Sequence, residues 1–92
     1  MGVTMRMSDS LKHLTRNKTV IVFESGYTIA DCLNNLNQEF PAFKEQLYDQ
    51  NGNLKAYVTI FLNGYNINYH KGVDTMLNEG DELDIIPTAA GG

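Results

Sequence analysis

The chain has 92 residues, 42% of them hydrophobic, and a formal net charge of −4. That length fits one small domain, which buries only about 60–65% of its unfolded surface. The hydrophobic share excludes a disordered chain, and the seven basic residues are scattered with no basic stripe, which argues against a nucleic-acid role.

The opening "GVTMRM" alternates Val3, Met5 and Met7 with Gly2, Thr4 and Arg6, the period of a half-buried strand. "DSLKHLTRNK" reads as a turn region, and "TVIVFES" as a second strand ending at Ser25-Gly26, so the two form a hairpin with a long connection. The first ten residues lack a basic-then-apolar signal pattern, and no apolar run approaches the roughly 18 residues of a membrane helix. A cytoplasmic protein with no membrane association is the resulting expectation.

"TIADCLNNLNQEF" changes period. Ile29, Cys32, Leu33, Leu36 and Phe40 fall at spacings of three and four, one stripe of a helix. Thr28 is placed to cap it, Asp31 puts negative charge in its first turn, and Pro41 closes it. Cys32, the single cysteine, sits in the apolar stripe and reads as core rather than nucleophile. His13 and His70 are far apart and lack metal-ligand spacing, so both read as surface residues and no metal is expected. "AFKEQLYD" suggests a short second helix with Phe43 and Leu47 inward, and "DQNGN" a turn.

"AYVTIFLNGYNINY" is a strand, a tight Asn63-Gly64 turn and another strand. Val58, Ile60 and Leu62 share one face; Tyr57, Thr59 and Phe61 share the other. After an irregular piece and a Gly80-Asp81 turn, "ELDIIP" forms a last strand with Leu83 and Ile85 on one face and Asp84 and Ile86 on the opposite one. The order is strand, strand, helix, strand, strand, strand. One helix covers one face of a small sheet. Tyr57, Phe61 and Ile86 are then expected on the uncovered face, an apolar patch suited to a partner.

The chain closes on "TAAGG". Pro87 ends the sheet pairing, Ala89 and Ala90 add little width, and Gly91 and Gly92 fit a narrow channel in any backbone conformation it demands. A carboxylate at Gly92 would be ionised at neutral pH and a poor electrophile until activated. These features divide the chain into a domain over 1–87 and a flexible tail over 88–92.

Together, "LNGYNI", "GVDTMLNEGDELDIIP" and the final "AGG" resemble the ubiquitin-like β-grasp sulfur carriers: the small subunit of molybdopterin synthase, the thiamin sulfur carrier, and the carrier of one route to cysteine. The resemblance covers essentially the whole chain. It implies an α+β fold, a ubiquitin-like β-grasp with a mixed four- to five-stranded sheet packed on one main helix. It also implies a cycle in which an E1-like adenylating enzyme uses ATP to activate Gly92. Sulfur from a desulfurase or rhodanese-type donor then displaces AMP to give a thiocarboxylate. An accepting enzyme such as the molybdopterin synthase large subunit consumes it. The protein would be a co-substrate rather than an enzyme and would hold no cofactor. Gly91, Ala90, Ala89, Ile86 and Phe61 would meet the partners.

The receiving pathway has molybdopterin synthesis as first choice, with cysteine, homocysteine or thiamin synthesis as alternatives. "PAFKEQLYDQNGNLK" is extra length beyond the shortest, thiamin-type carriers, and "TRNK" stands where many relatives have a glycine-bearing turn. Relatives that become conjugated to lysines also end in Gly-Gly, so protein modification is open, as is a β-grasp interaction module with no carrier role.

Overall fold

A computed structural model describes residues 2–87. Its strands are β1 (Val3–Met7), β2 (Val20–Phe23), β3 (Val58–Leu62), β4 (Tyr65–Asn66) and β5 (Glu82–Pro87). Its helices are α1 (Ile29–Glu39) and α2 (Pro41–Leu47), with short 3-10 turns at Lys12–Thr15, Ile67–Tyr69 and Gly72–Asp74. The strands form one mixed sheet in the order β2-β1-β5-β3-β4. β1 runs parallel to β5, with Met5 opposite Leu83, and the other pairings are antiparallel. This is the expected β-grasp, with five strands.

α1 forms where the sequence places it, and its start is held by a reciprocal cap. The Thr28 hydroxyl accepts from the Asp31 N–H at 3.2 Å, and the Asp31 carboxylate accepts from the Thr28 N–H at 3.0 Å. Asp31 therefore does more than favour the helix dipole. Ile29, Cys32, Leu33, Leu36 and Phe40 are all buried, and they meet Val3, Met5, Met7, Ile60, Leu62, Leu83 and Ile85 from the sheet. Pro41 ends α1 and also occupies the first position of α2, where a missing N–H costs nothing. Phe43 and Leu47 of α2 are fully buried.

Three segments differ from their expectations. The stretch after β1 is more than a turn region: its 3-10 turn buries Leu11, Leu14 and Thr15. The Thr15 hydroxyl lies 3.1 Å from the Lys12 carbonyl and 2.8 Å from that of Lys18, so a buried polar group is satisfied locally. The second strand of the "NGYNINY" hairpin is only two residues long, because Ile67 turns into a 3-10 helix and is buried. Tyr57 is not on the uncovered face. It precedes β3, packs against the core, and donates its hydroxyl to the Gln46 carbonyl at 3.2 Å, so α2 draws it inward.

The Asn63-Gly64 turn is as expected: φ is +52° and +88°, positive at both central residues, as a two-residue hairpin needs. Asn63 also clamps the hairpin to β5. Its Nδ2 donates to Asp81 Oδ1 at 3.0 Å, and its Oδ1 accepts from the Glu82 N–H at 2.9 Å. Asp81 uses its other oxygen to accept from the Asn78 N–H at 2.8 Å. Replacing Asn63 with alanine removes both contacts and puts a Cβ-bearing residue without a local polar partner at positive φ. A loss of about 1–2 kcal/mol in chemical denaturation is expected; an unchanged midpoint would remove this clamp from the account.

Candidate functional site

The sheet has one face under α1 and one open. Strand register assigns the open face row by row. One row runs Val20, Arg6, Asp84, Phe61, Asn66 across the five strands. A second holds Val22, Thr4 and Glu82, and a third holds Ile86 opposite Thr59. Phe61 and Ile86 thus share this face, as the strand alternation predicts; Phe61 is half-buried and Ile86 is 39% exposed. Between the apolar groups lie Arg6, Glu82 and Asp84. Arg6 and Glu82 form an exposed ion pair at 3.3 Å, which contributes little to stability.

Val20 and Val22 belong to the same face and were not singled out from the sequence. They are 53% and 66% exposed. The available signal was their shared parity in "TVIVF", which an uninterrupted apolar run obscures.

β5 carries the chain toward the tail from the middle of the sheet. Val58 pairs with Pro87 on one side, and on the other Met7 pairs with Ile85 while the Ser8 N–H donates to the Ile85 carbonyl at 3.2 Å. Pro87 is thereby fixed beside the open face, one residue after Ile86. The tail residues named from the sequence, Ala89, Ala90, Gly91 and Gly92, lie outside the described residues.

No group of three or more His, Cys, Asp and Glu side chains among the described residues has a metal-binding arrangement. His13 and His70 are both exposed. A hollow of about 210 Å³ between α1 and the 48–54 turn is lined mainly by Ala30, Leu33, Leu54 and Val73. Its only titratable group is the Tyr48 hydroxyl, whose pKa burial raises. Cys32 is 1% exposed, and burial, with a smaller contribution from the Asp31 carboxylate, pushes its thiol from an ordinary value of 9.0 up to about 11. No helix among the described residues is long and apolar enough to cross a membrane.

A β-grasp domain with one open sheet face is the fold of the small ubiquitin-like carriers and modifiers. Residues 5–92 match the ThiS family, and the chain belongs to that family of ubiquitin-like sulfur carriers. It is 30% identical over 95 aligned positions to the sulfur carrier protein CysO of Mycobacterium tuberculosis, covering 100% of both chains. A 48-residue stretch is 42% identical to a protein of Archaeoglobus fulgidus, spanning 52% of this chain and 54% of that one. The solution structure of small archaeal modifier protein 1 from Methanosarcina acetivorans matches with a TM-score of 0.83 and 26% identity, covering 98% of this chain and 95% of that one.

The buried thiol sets two expectations. Cys32 in the folded protein should resist iodoacetamide at pH 8 and react fully once unfolded in guanidinium. A thiol whose pKa is raised by folding favours the folded state while protonated. That contribution is complete below pH 9.0 and is lost as pH rises toward about 11. A Cys32→Ser variant should lose part of this alkaline slope in urea denaturation; rapid labelling of the native protein would contradict the core assignment.

Proposed function

We propose that this protein carries sulfur as a thiocarboxylate at Gly92. The observation that supports it is the position of β5: the strand leading to the Gly-Gly pair is held between two neighbours and ends at Pro87 beside the open face. The family match extends through Gly92, which supports the same reading. An E1-like enzyme docks on the open face through Phe61 and Ile86. The narrow Ala89, Ala90, Gly91 and Gly92 segment enters its channel. A carboxylate oxygen of Gly92 attacks the α-phosphorus of ATP and pyrophosphate leaves. The terminal sulfur of a persulfide on a desulfurase or rhodanese-type donor then attacks the acyl carbon and AMP leaves; a second thiol cleaves the resulting acyl disulfide, which frees the thiocarboxylate and leaves the donor as a disulfide.

Five residues follow Pro87. Fully extended they reach at most about 17 Å, so the docked domain determines where the carboxylate arrives. The carrier itself supplies position and the enzymes supply the chemistry. This division suits a domain whose single cysteine is buried.

The acceptor is a biosynthetic enzyme. The extra segment after α1 forms α2 and the turn closed by the Tyr48–Leu54 bridge, so this chain differs from the shortest carriers by a folded insertion. Molybdopterin synthase and a cysteine-forming enzyme are the two acceptors to test, and the full-length likeness to CysO supports including the latter. A second reading, conjugation to lysines of other proteins, draws on the likeness to an archaeal modifier protein. Lysine-linked Gly-Gly remnants in digests of the native host would establish that use.

Two experiments test the carrier reading. Deleting Gly92 withdraws the carboxylate by about 3.5 Å. A misplacement of about 1 Å can cost a hundredfold in rate, so ATP–pyrophosphate exchange with the cognate activating enzyme should vanish while the thermal melt is unchanged. Wild-type exchange by the truncated protein would sink the proposal. Separately, Phe61→Asp or Ile86→Asp should weaken binding to that enzyme by about 1–3 kcal/mol each while the variants stay folded. Unfolding of either would show that these side chains stabilise the domain rather than dock it.

A further inference from the structure

The sheet has two edges, and they are unlike. β4 blunts one of them, being two residues long and running directly into a 3-10 turn. β2 forms the other, and nothing blunts it. "VIVF" contains no charge and no proline, the usual protections of an edge. Its backbone groups divide by parity. The Met7 N–H donates to the Thr19 carbonyl at 2.8 Å, and Met5 and Val3 stand opposite Ile21 and Phe23. Odd-numbered residues therefore turn their N–H and C=O groups toward β1, while those of Val20 and Val22 point away from the sheet. The same two residues expose 53% and 66% of their surface. Ile21 and Phe23, on the core side of the strand, are only half-buried.

The charges at the two ends of this edge are opposite. Lys18 precedes the strand and Glu24 follows it; both are exposed, and among the described residues neither is in an ion pair. Both are even-numbered, like Val20 and Val22, and each lies just outside β2; the Lys18 N–H and C=O are held by Thr15. An extended partner that fills the edge must offer apolar β-branched residues between an acidic end and a basic end, running antiparallel. This strand meets that description itself.

We propose that β2 is a self-complementary edge at which two copies of this chain pair antiparallel about a two-fold axis through Ile21. In that register each Val20 faces the second copy's Val22, and the two pairs exchange four backbone hydrogen bonds. Each Lys18 faces the second copy's Glu24. Ile21 meets its own counterpart, and Phe23 meets the second copy's Thr19, which covers the exposed flank of the core. A slip of one residue sets open-face side chains against core-face ones. A slip of two sets Lys18 against Val22 or Gly26 and loses both ion pairs. Only the axis at Ile21 satisfies the apolar and the charged positions together.

The pairing leaves β5 and Pro87 free, because β1 stands between β2 and β5. It also joins the two open faces into one, with Val20 and Val22 of both copies at its centre. The proposal does not rest on the sulfur-carrier reading, and its test needs no partner enzyme. The contact is short, so the dimer is weak and forms at high concentration.

The test is sedimentation of the purified chain from about 10 µM to about 1 mM, a range that brackets weak association. The weight-average mass should climb from 10.3 kDa toward twice that value. Over the same range, hydrogen exchange at the Val20 and Val22 amides should slow. Glu24→Lys alone, or Lys18→Glu alone, places like charges opposite each other twice and should weaken association about tenfold or more. The double variant Lys18→Glu/Glu24→Lys should restore it. So should mixing the two single variants, since each supplies what the other lacks. Both positions are exposed, so a thermal melt should show all variants folded. A chain that stays monomeric to the highest concentration overturns the proposal. So does a dimer that ignores the charge reversals, or single variants that fail to associate when mixed. If the edge instead binds an extended peptide from another protein, the purified chain stays monomeric and the double reversal abolishes that capture.

Discussion

Everything in this fold is arranged around the parallel pairing of β1 with β5. The two strands come from opposite ends of the domain, and Met5 stands opposite Leu83 in the middle of the sheet. Parallel neighbours require a long connection, and here it holds α1, α2 and the β3–β4 hairpin. Closing so long a loop carries an entropic cost that local contacts do not repay. The compensation is burial: Met5, Leu83 and Ile85 are fully enclosed between the sheet and the helices. Once β1 and β5 are joined, β3 has one place left, on the far side of β5, and α1 has one face to cover.

The central strand is also the one that carries the chain toward its Gly-Gly pair. A tail at an edge strand would move with every fraying of that edge. A tail at a central strand starts from a point held on both sides, by Val58 and by Met7 with Ser8. Under the proposed carrier function, that fixed starting point sets where the transferred group arrives. The clamp from Asn63 to Asp81 and Glu82 serves the same end, tying the neighbouring hairpin to the start of β5. The covered face holds the core, and under the proposed function the open face serves recognition.

Much of this was legible in the chain. The three-and-four spacing of Ile29, Cys32, Leu33, Leu36 and Phe40 specifies a helix with one buried stripe, because only a helix puts those positions together. The alternation in β1, β3 and β5 specifies which side chains face inward, because strand geometry has a period of two. Asn63-Gly64 specifies a tight hairpin, since both positions need positive φ. The family follows from motifs of the same local kind, and with it the reading of Gly92.

Other features depended on distance in space. Tyr57 has the parity of the open face, yet α2 offers the Gln46 carbonyl and draws its ring against the core. Leu11, Leu14 and Thr15 lie in a stretch that looks like solvent-exposed turn, and they are buried because the connection folds back under the helices. Strand order is likewise absent from any local pattern. "TVIVF" shows a strand, but only the sheet shows that it is an edge whose outer backbone groups are those of Val20 and Val22. The sequence by itself determined the elements, their inward faces and the family, because each is encoded by residues within a few positions of one another. The tertiary structure alone decided which strand is central and which is open, because that choice is a competition among long-range pairings that no short window of residues contains.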